Sequence, residues 1–221
     1  MTRRRVAVLA SGEGTNLQAI LDHFARLGER RPGDVVLVAS DAPDAGALAR
    51  ARGAGVAAAT FDHRDDEALD RLLCERGAEL VALAGYLKLV PSRVTRRFRG
   101  RIVNVHPALL PGFGGAGMFG LRVHEAVLAA GVRVSGATVH FVDELYDHGP
   151  IIAQWPVPVL PSDTPETLQA RVLRAEHRLY PRVVDALCTG AVSLGDDGRV
   201  VGGVGPSHDS EFALQPMDER G

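Results

Sequence analysis

Through the first hundred residues, short β-branched runs alternate with helix-like segments, and this alternation constrains the chain more than any other feature. The runs fall at 5–10 (RVAVLA), 34–39 (DVVLVA), 56–61, 79–84 (ELVALA) and 101–105 (RIVNV). Helical patterns occupy 16–27, 44–52, 65–76 and 91–98 between them. Runs this apolar, lacking a two-residue alternation, are strands covered on both faces. Such strands joined by helices form right-handed βαβ units and build a mostly parallel sheet. The expected fold class is α/β: a Rossmann-like open twisted sheet with helices on both faces.

The texture changes after residue 106. Residues 107–120 are rich in Gly and Pro without periodicity and read as a long loop. A helix is expected at about 122–130, then strands at 135–142 (SGATVHFV) and 151–159, separated by the turn-rich DELYDHGP. These strands would extend the sheet antiparallel in the C-terminal half. The longest helical pattern is 164–187, with Ser162 or Asp163 as N-cap candidate, Pro165 near its first turn and Gly190 beyond its end. Asp196-Asp197-Gly198 reads as a hairpin turn, and a polar tail begins at about Pro206. The chain reads as one domain over 1–221, in two halves, 1–100 and 101–190, with a peripheral hairpin and tail at 191–221.

At 221 residues, 46% hydrophobic and 24% charged, the chain can bury a sizeable core without staples. A net charge of −2 argues against electrostatic binding of nucleic acid or anionic membrane. Lys88 is the only lysine; every other basic residue of the Lys/Arg class is Arg. Cys74 and Cys188 are far apart, form no disulfide or zinc framework, and both read as buried thiols. The apolar run near the N-terminus is about six residues, short of the roughly 7–15 of a signal peptide. No stretch reaches the roughly 18 apolar residues of a membrane span. The expected location is cytoplasmic.

Directly after the first run comes Ser11-Gly12-Glu13-Gly14-Thr15-Asn16, opening the first helix. Glycines at a strand-to-helix turn let backbone approach a ligand, and the helix N-terminus offers unpaired N–H groups and partial positive charge. A dinucleotide fingerprint would carry glycine where Leu17 stands, and no Gly-Lys-Ser/Thr follows. The loop therefore suits a single phosphate; the alternative is a plain tight turn with Thr15 or Asn16 capping the helix.

Asn104 and His106 end the fifth run and project to one face, at the sheet edge where open α/β folds place ligands. An amide can hold a developing oxyanion, and an imidazole can move a proton or stabilise the same charge. A strand-end turn and a satisfied histidine would produce the same spacing. Asp143, Glu144 and Asp147 follow in the turn before His148-Gly149-Pro150. A carboxylate there could keep an imidazole protonated, or the acids could form a solvated turn; the spacing is not that of an EF-hand. His140 could face the same crevice or be structural. Zinc at His106, His124 and His140 lacks any HExxH or CxxC spacing, so no metal is expected.

Five segments together resemble one family: VLASGEGTNLQAI (8–20), AGYLKLV (84–90), NVHPALLP (104–111), GATVHFVDE (136–144) and DHGPIIAQ (147–154). In order and spacing, over about 5–185, they are similar to the phosphoribosylglycinamide formyltransferases. The N-x-H-P-x-L-L-P element belongs to the wider folate formyltransferase superfamily, and its combination with the SGxGTNL loop is specific. The resemblance implies formyl transfer from 10-formyltetrahydrofolate to the amine of glycinamide ribonucleotide in purine biosynthesis, with no metal required; the expected state is a monomer or homodimer. It implies that Gly14, Thr15 and Asn16 hold the phosphate. Asn104 and His106 would stabilise the tetrahedral oxyanion, and His106 would assist the leaving folate nitrogen. Asp147 would keep His106 protonated and orient a water. The folate pocket would be lined by Arg64, Leu87, Lys88, Leu89, Val90, Asn104, Asp143, Glu144 and Asp147. Glu176 would sit near the substrate amine, or be a solvated helix charge. The half 1–100 would then bind phosphate, and 101–190 folate and the reacting groups.

The sequence departs from that family's pattern in three places. After Pro111 the short aromatic-Pro-Gly loop becomes a longer, glycine-rich 112–120, which borders the expected site. His124 follows that insertion and takes no family role. Lys88 stands where Arg is common and cannot make a bidentate contact. Two relatives and one other class compete. Formyltetrahydrofolate hydrolase uses the same Asn, His and Asp but adds an N-terminal regulatory domain, for which a first strand at about residue 5 leaves no room. Methionyl-tRNA formyltransferase adds a C-terminal RNA-binding domain, for which the chain ends too soon. A non-catalytic nucleotide-binding module would use only the glycine loop.

Overall fold

The computed structural model describes residues 2–204; the tail expected from about residue 206 lies outside the described residues. The parallel part comprises β1 (Arg4–Leu9), β2 (Gly33–Ser40), β3 (Ala58–Thr60), β4 (Leu80–Leu83) and β5 (Ile102–His106). Between these strands run α1 (Thr15–Leu27), α2 (Gly46–Gly53), α3 (Asp66–Glu75) and α4 (Ser92–Arg97). Then follow α5 (Leu121–Ala129), β6 (Val134–Phe141), β7 (Ile151–Pro158), α6 (Pro165–Thr189) and the hairpin β8 (Val192–Leu194)–β9 (Val200–Gly202).

The main sheet has seven strands in the order β3-β2-β1-β4-β5-β6-β7. β1 to β5 pair parallel; β6 pairs antiparallel with β5, and β7 antiparallel with β6. The order reverses at β1–β4, so a crevice opens beyond the carboxyl ends of those strands. The mixed sheet and the helices on its two faces are the expected architecture.

The continuous apolar runs have a direct cause. In β1, Val6 and Val8 enter one core with α1, α2, α5 and α6, while Ala7 and Leu9 enter a second with α3 and α4. Both faces are dry, so neither can be polar. β6 differs: Ala137, Val139 and Phe141 face the first core, but the alternate residues Thr138 and His140 are polar and buried. Register sets His140 opposite Asn104, and Thr138 opposite His106. Four polar side chains thus share one face of two paired strands.

Helix α6 spans 25 residues and crosses the first core. Its N-cap is Thr164, in a capping box with Thr167, and not Ser162 or Asp163. Asp163 is committed elsewhere: it accepts from Arg171 at 2.6 and 2.7 Å and from the Leu160 N–H at 2.7 Å. Gly190 ends the helix at φ 76°. Inside it, the Tyr180 hydroxyl lies 2.9 Å from the Leu83 carbonyl and 3.1 Å from that of Val103, joining α6 to β4 and β5. Cys188 is buried as expected, but Cys74 is exposed, because it lies on the outer face of α3. The β8–β9 hairpin is less peripheral than its sequence suggests, since Val192 is buried in the first core.

Candidate active site

A cleft of about 480 Å³ lies along the carboxyl ends of β1, β4 and β5. One end starts at the glycine loop. Gly14, at φ 73°, is the N-cap of α1, and a Cβ there would come within 2.7 Å of Ala47. Only glycine fits that approach. No side chain caps α1, so neither Thr15 nor Asn16 plays the capping role. Both line the cleft, while Gly14 sits behind them against α2. The loop is fastened from below: Ser11 Oγ donates to Asp41 at 2.6 Å and accepts from the Leu87 N–H at 3.1 Å.

The Asn16 side chain turns inward and donates to Glu176 Oε2 at 2.6 Å. Glu176 is buried, which rules out the solvated helix charge. Burial pushes its carboxyl up, the Asn16 bond and the His106 charge pull it back, and it settles at about 7. Gln169 and Leu173 join Glu176 in the lining. Sequence reasoning passed over both, although the 169–173–176 spacing marks one helix face.

The centre is the polar face of β5 and β6. His106 Nδ1 lies 3.4 Å from Asp147 Oδ2, and His140 Nε2 lies 3.6 Å from Oδ1. These are electrostatic contacts, longer than charge-assisted hydrogen bonds of about 2.7–2.9 Å. His140 Nδ1 donates to the Phe141 carbonyl at 2.7 Å, and its Nε2 lies 3.2 Å from Asn104 Nδ2. Asn104 Nδ2 also donates to Asp147 Oδ1 at 3.3 Å. Burial would raise the Asp147 carboxyl, but contacts with His106 and His140, the His106 charge and the Gly115 amide outweigh it. The carboxyl is held well below the usual carboxylate range.

Asp147 adopts φ 54°, a left-handed conformation that non-glycine residues occupy only where their surroundings enforce it. The enforcement comes from the 112–120 loop. The Gly115 N–H donates to Asp147 Oδ2 at 2.9 Å, and His106 Nε2 donates to the Phe113 carbonyl at 2.8 Å. A Cβ on Gly114 would approach Leu110 Cδ2 to 2.5 Å and Asp147 Cβ to 3.2 Å. The start of the loop is anchored in turn by Thr138, which donates to Ala108 O at 2.6 Å and accepts from Leu110 N at 3.0 Å. The glycine-rich departure is therefore a fitted part of the centre.

At the far end the cleft is apolar. Leu87, Lys88, Leu89 and Val90 line it with Tyr86, Leu145 and Tyr146. Three expected residues are not in the lining. The Arg64 N–H closes a turn onto Asp62 at 2.9 Å; Asp143 contacts His148 at 2.7 Å, and Glu144 accepts from Arg96 at 3.1 Å. Among the described residues, no group of three or more His, Cys, Asp or Glu side chains is placed to hold a metal ion.

A family described as formyl transferase matches residues 4–184. The chloroplastic phosphoribosylglycinamide formyltransferase of Arabidopsis thaliana is 44% identical over 204 residues, 89% of this chain and 69% of that protein. Phosphoribosylglycinamide formyltransferase of Haemophilus influenzae is 36% identical over 203 residues, 88% of this chain and 92% of its own length. The crystal structure of glycinamide ribonucleotide transformylase 1 from Symbiobacterium toebii matches with a TM-score of 0.81 at 45% identity, covering 90% of this chain and 93% of that one.

Proposed function

The chain belongs to the formyl transferase family, and from that premise we propose that its cleft passes a formyl group from 10-formyltetrahydrofolate to the amine of glycinamide ribonucleotide, a step of purine biosynthesis. The observation that carries this reading is the grouping of Asn104, His106 and Asp147 between two unlike ends of one cleft. One end offers a helix N-terminus, suited to a ribonucleotide phosphate at Gly14, Thr15 and Asn16. The other is apolar, suited to the folate ring system along Leu87–Val90, with Arg64, Asp143 and Glu144 reaching it at most from the rim.

The chemistry is direct. The amine attacks the formyl carbon, the carbonyl oxygen takes up negative charge, and the C–N bond to the folate nitrogen breaks. The proton lost by the amine ends on that nitrogen, giving tetrahydrofolate. Asn104 and His106 are the donors for the oxyanion, each worth on the order of a hundredfold in rate. Asp147 holds the negative charge that keeps His106 in place and compensates it. His106 Nε2 is engaged by the Phe113 carbonyl, and the Asn104 amide nitrogen by His140 and Asp147, so the 112–120 loop must yield the first hydrogen bond and Asn104 one of its contacts to the formyl oxygen. Juxtaposing two substrates supplies much of the remaining acceleration.

We further read the cytoplasm as its place of work and a monomer or homodimer as its state; both substrates are charged small molecules, and both cysteines are free thiols. Mixing the protein with 10-formyltetrahydrofolate, with and without glycinamide ribonucleotide, tests the reading. Tetrahydrofolate should appear only with the acceptor. Equal rates with and without it would mean a hydrolase. A nucleotide-binding module would bind the ribonucleotide, form no tetrahydrofolate, and be indifferent to His106→Ala.

A further inference from the structure

Among the described residues, the buried side chains lining the cleft that have polar atoms without a partner include Tyr86, through its hydroxyl, and His124, through Nδ1; of these two, His124 is the one nearer α6. His124, on α5, is 1% exposed, lines the cleft beside the reacting centre, and has a buried Nδ1 that meets no donor or acceptor. Neither ring nitrogen forms a hydrogen bond with a described residue. Burial, with the His106 charge adding to it, pushes the ring down to about 4, so it is neutral near pH 7.

A neutral imidazole carries one N–H and one lone pair. Burying an N–H with no acceptor is the costlier way to leave Nδ1 orphaned, because unpaired buried donors are rarer than under-satisfied acceptors. The proton therefore belongs on Nε2, and Nδ1 keeps the lone pair. That assignment leaves Nε2–H as a donor at the cleft wall. The wall in question is the one nearer α6: α5 packs on α6, which contributes Gln169, Leu173 and Glu176, while the apolar folate end is built by residues 86–90 and 145–146 on other elements.

We propose that His124 is an acceptor-recognition residue whose Nε2–H donates to the amide carbonyl oxygen of the glycinamide arm. This rests on the transferase reading above. The geometry follows from the acceptor's own chemistry. Its attacking amine must reach the carbon held at His106, and its amide carbonyl lies only two bonds away from that nitrogen. A donor adjacent to His106 on the acceptor side meets that oxygen before it meets the ribose or phosphate. An amine lacking the carbonyl would leave the buried donor unpaired, so the same residue discriminates against simple amines.

His124→Leu and His124→Gln, assayed with both substrates, test this. The leucine variant should raise KM for glycinamide ribonucleotide roughly fivefold to tenfold, the value of one lost hydrogen bond. Its KM for 10-formyltetrahydrofolate should be unchanged and its Tm equal to or above wild type, because an orphaned polar group has been removed. The glutamine variant, which restores an N–H donor, should recover most of the acceptor KM. An unchanged acceptor KM in His124→Leu, or an equal rise in both KM values, would overturn the proposal. Should His124→Leu fail to fold, the glutamine variant and direct calorimetric binding of glycinamide ribonucleotide decide it: near-wild-type affinity in His124→Gln supports the role, and tenfold loss there sinks it. Wild-type release of tetrahydrofolate without acceptor would instead bring down the transferase reading itself, a distinguishable failure.

Discussion

Two carboxylates face the same cleft and are driven in opposite directions. Asp147, among His106, His140, the Asn104 amide and the Gly115 amide, is held well below the usual carboxylate range. Glu176, with Asn16 as its hydrogen-bond partner in an otherwise dry setting, rises to about 7. The chemical group is the same, so the environment sets the role. One is a permanent negative charge beside the imidazole proposed to stabilise an oxyanion. The other sits near its protonation midpoint at neutral pH, where it can take a proton from an amine or return one.

The largest expected effect breaks the charged member. Asp147→Asn keeps size and shape but removes the charge, and kcat should fall roughly a hundredfold to ten-thousandfold. The KM for 10-formyltetrahydrofolate should move far less. Steady-state kinetics decide this, and an unchanged kcat would mean that Asp147 has no part in the chemistry.

The neutral member should reveal itself in stability. A carboxyl raised from 4.5 to about 7 favours folding while protonated; that contribution is present below about pH 4.5 and lost as pH rises through 7. The shift corresponds to about 3 kcal/mol. Glu176→Gln, permanently neutral, should escape the loss. Urea unfolding should show it about as stable as wild type near pH 4.5 and more stable by up to about 3 kcal/mol at pH 8. Asp147 has the opposite sign, since its contribution is present above its unfolded value and lost in acid. Equal stabilities of Glu176→Gln and wild type at both pH values would contradict the buried, raised carboxyl.

A smaller effect sharpens the comparison through the scaffold. Tyr180, one turn beyond Glu176 on α6, ties that helix to the ends of β4 and β5 through its hydroxyl. Tyr180→Phe should cost about 1–2 kcal/mol in urea unfolding. Because both carboxylates keep their surroundings, it should leave the kcat ratio between wild type and Asp147→Asn unchanged.

The same contrast explains what the sequence made legible. The parallel half could be read because each strand is apolar on both faces, and the glycine loop because Gly14 is the only residue type that fits against Ala47. Asn104 and His106 could be paired from a two-residue spacing. Their link to Asp147 came from the family resemblance and not from spacing, since it depends on register between β5 and β6 and on a left-handed φ at Asp147, whose side chain accepts from Gly115. The loop at 112–120 read as an insertion bordering the site, but its hold on His106 and Asp147 was hidden, because hydrogen bonds from backbone groups leave no mark in side-chain patterns. Arg64, Asp143 and Glu144 were grouped with the cleft by motif, yet their contacts are local turns and surface pairs. Thr164 displaced Asp163 as N-cap because Arg171, eight residues on, takes the Asp163 carboxylate.

The central claim is that the ionised Asp147 and its imidazole partner serve transfer between two bound molecules. Carbon-13 in the formyl group of 10-formyltetrahydrofolate, followed by NMR with glycinamide ribonucleotide present, tests it most directly. The label should move to a formamide on the ribonucleotide, one for each tetrahydrofolate formed, and this signal should be nearly lost in Asp147→Asn. Label appearing as free formate would contradict that claim.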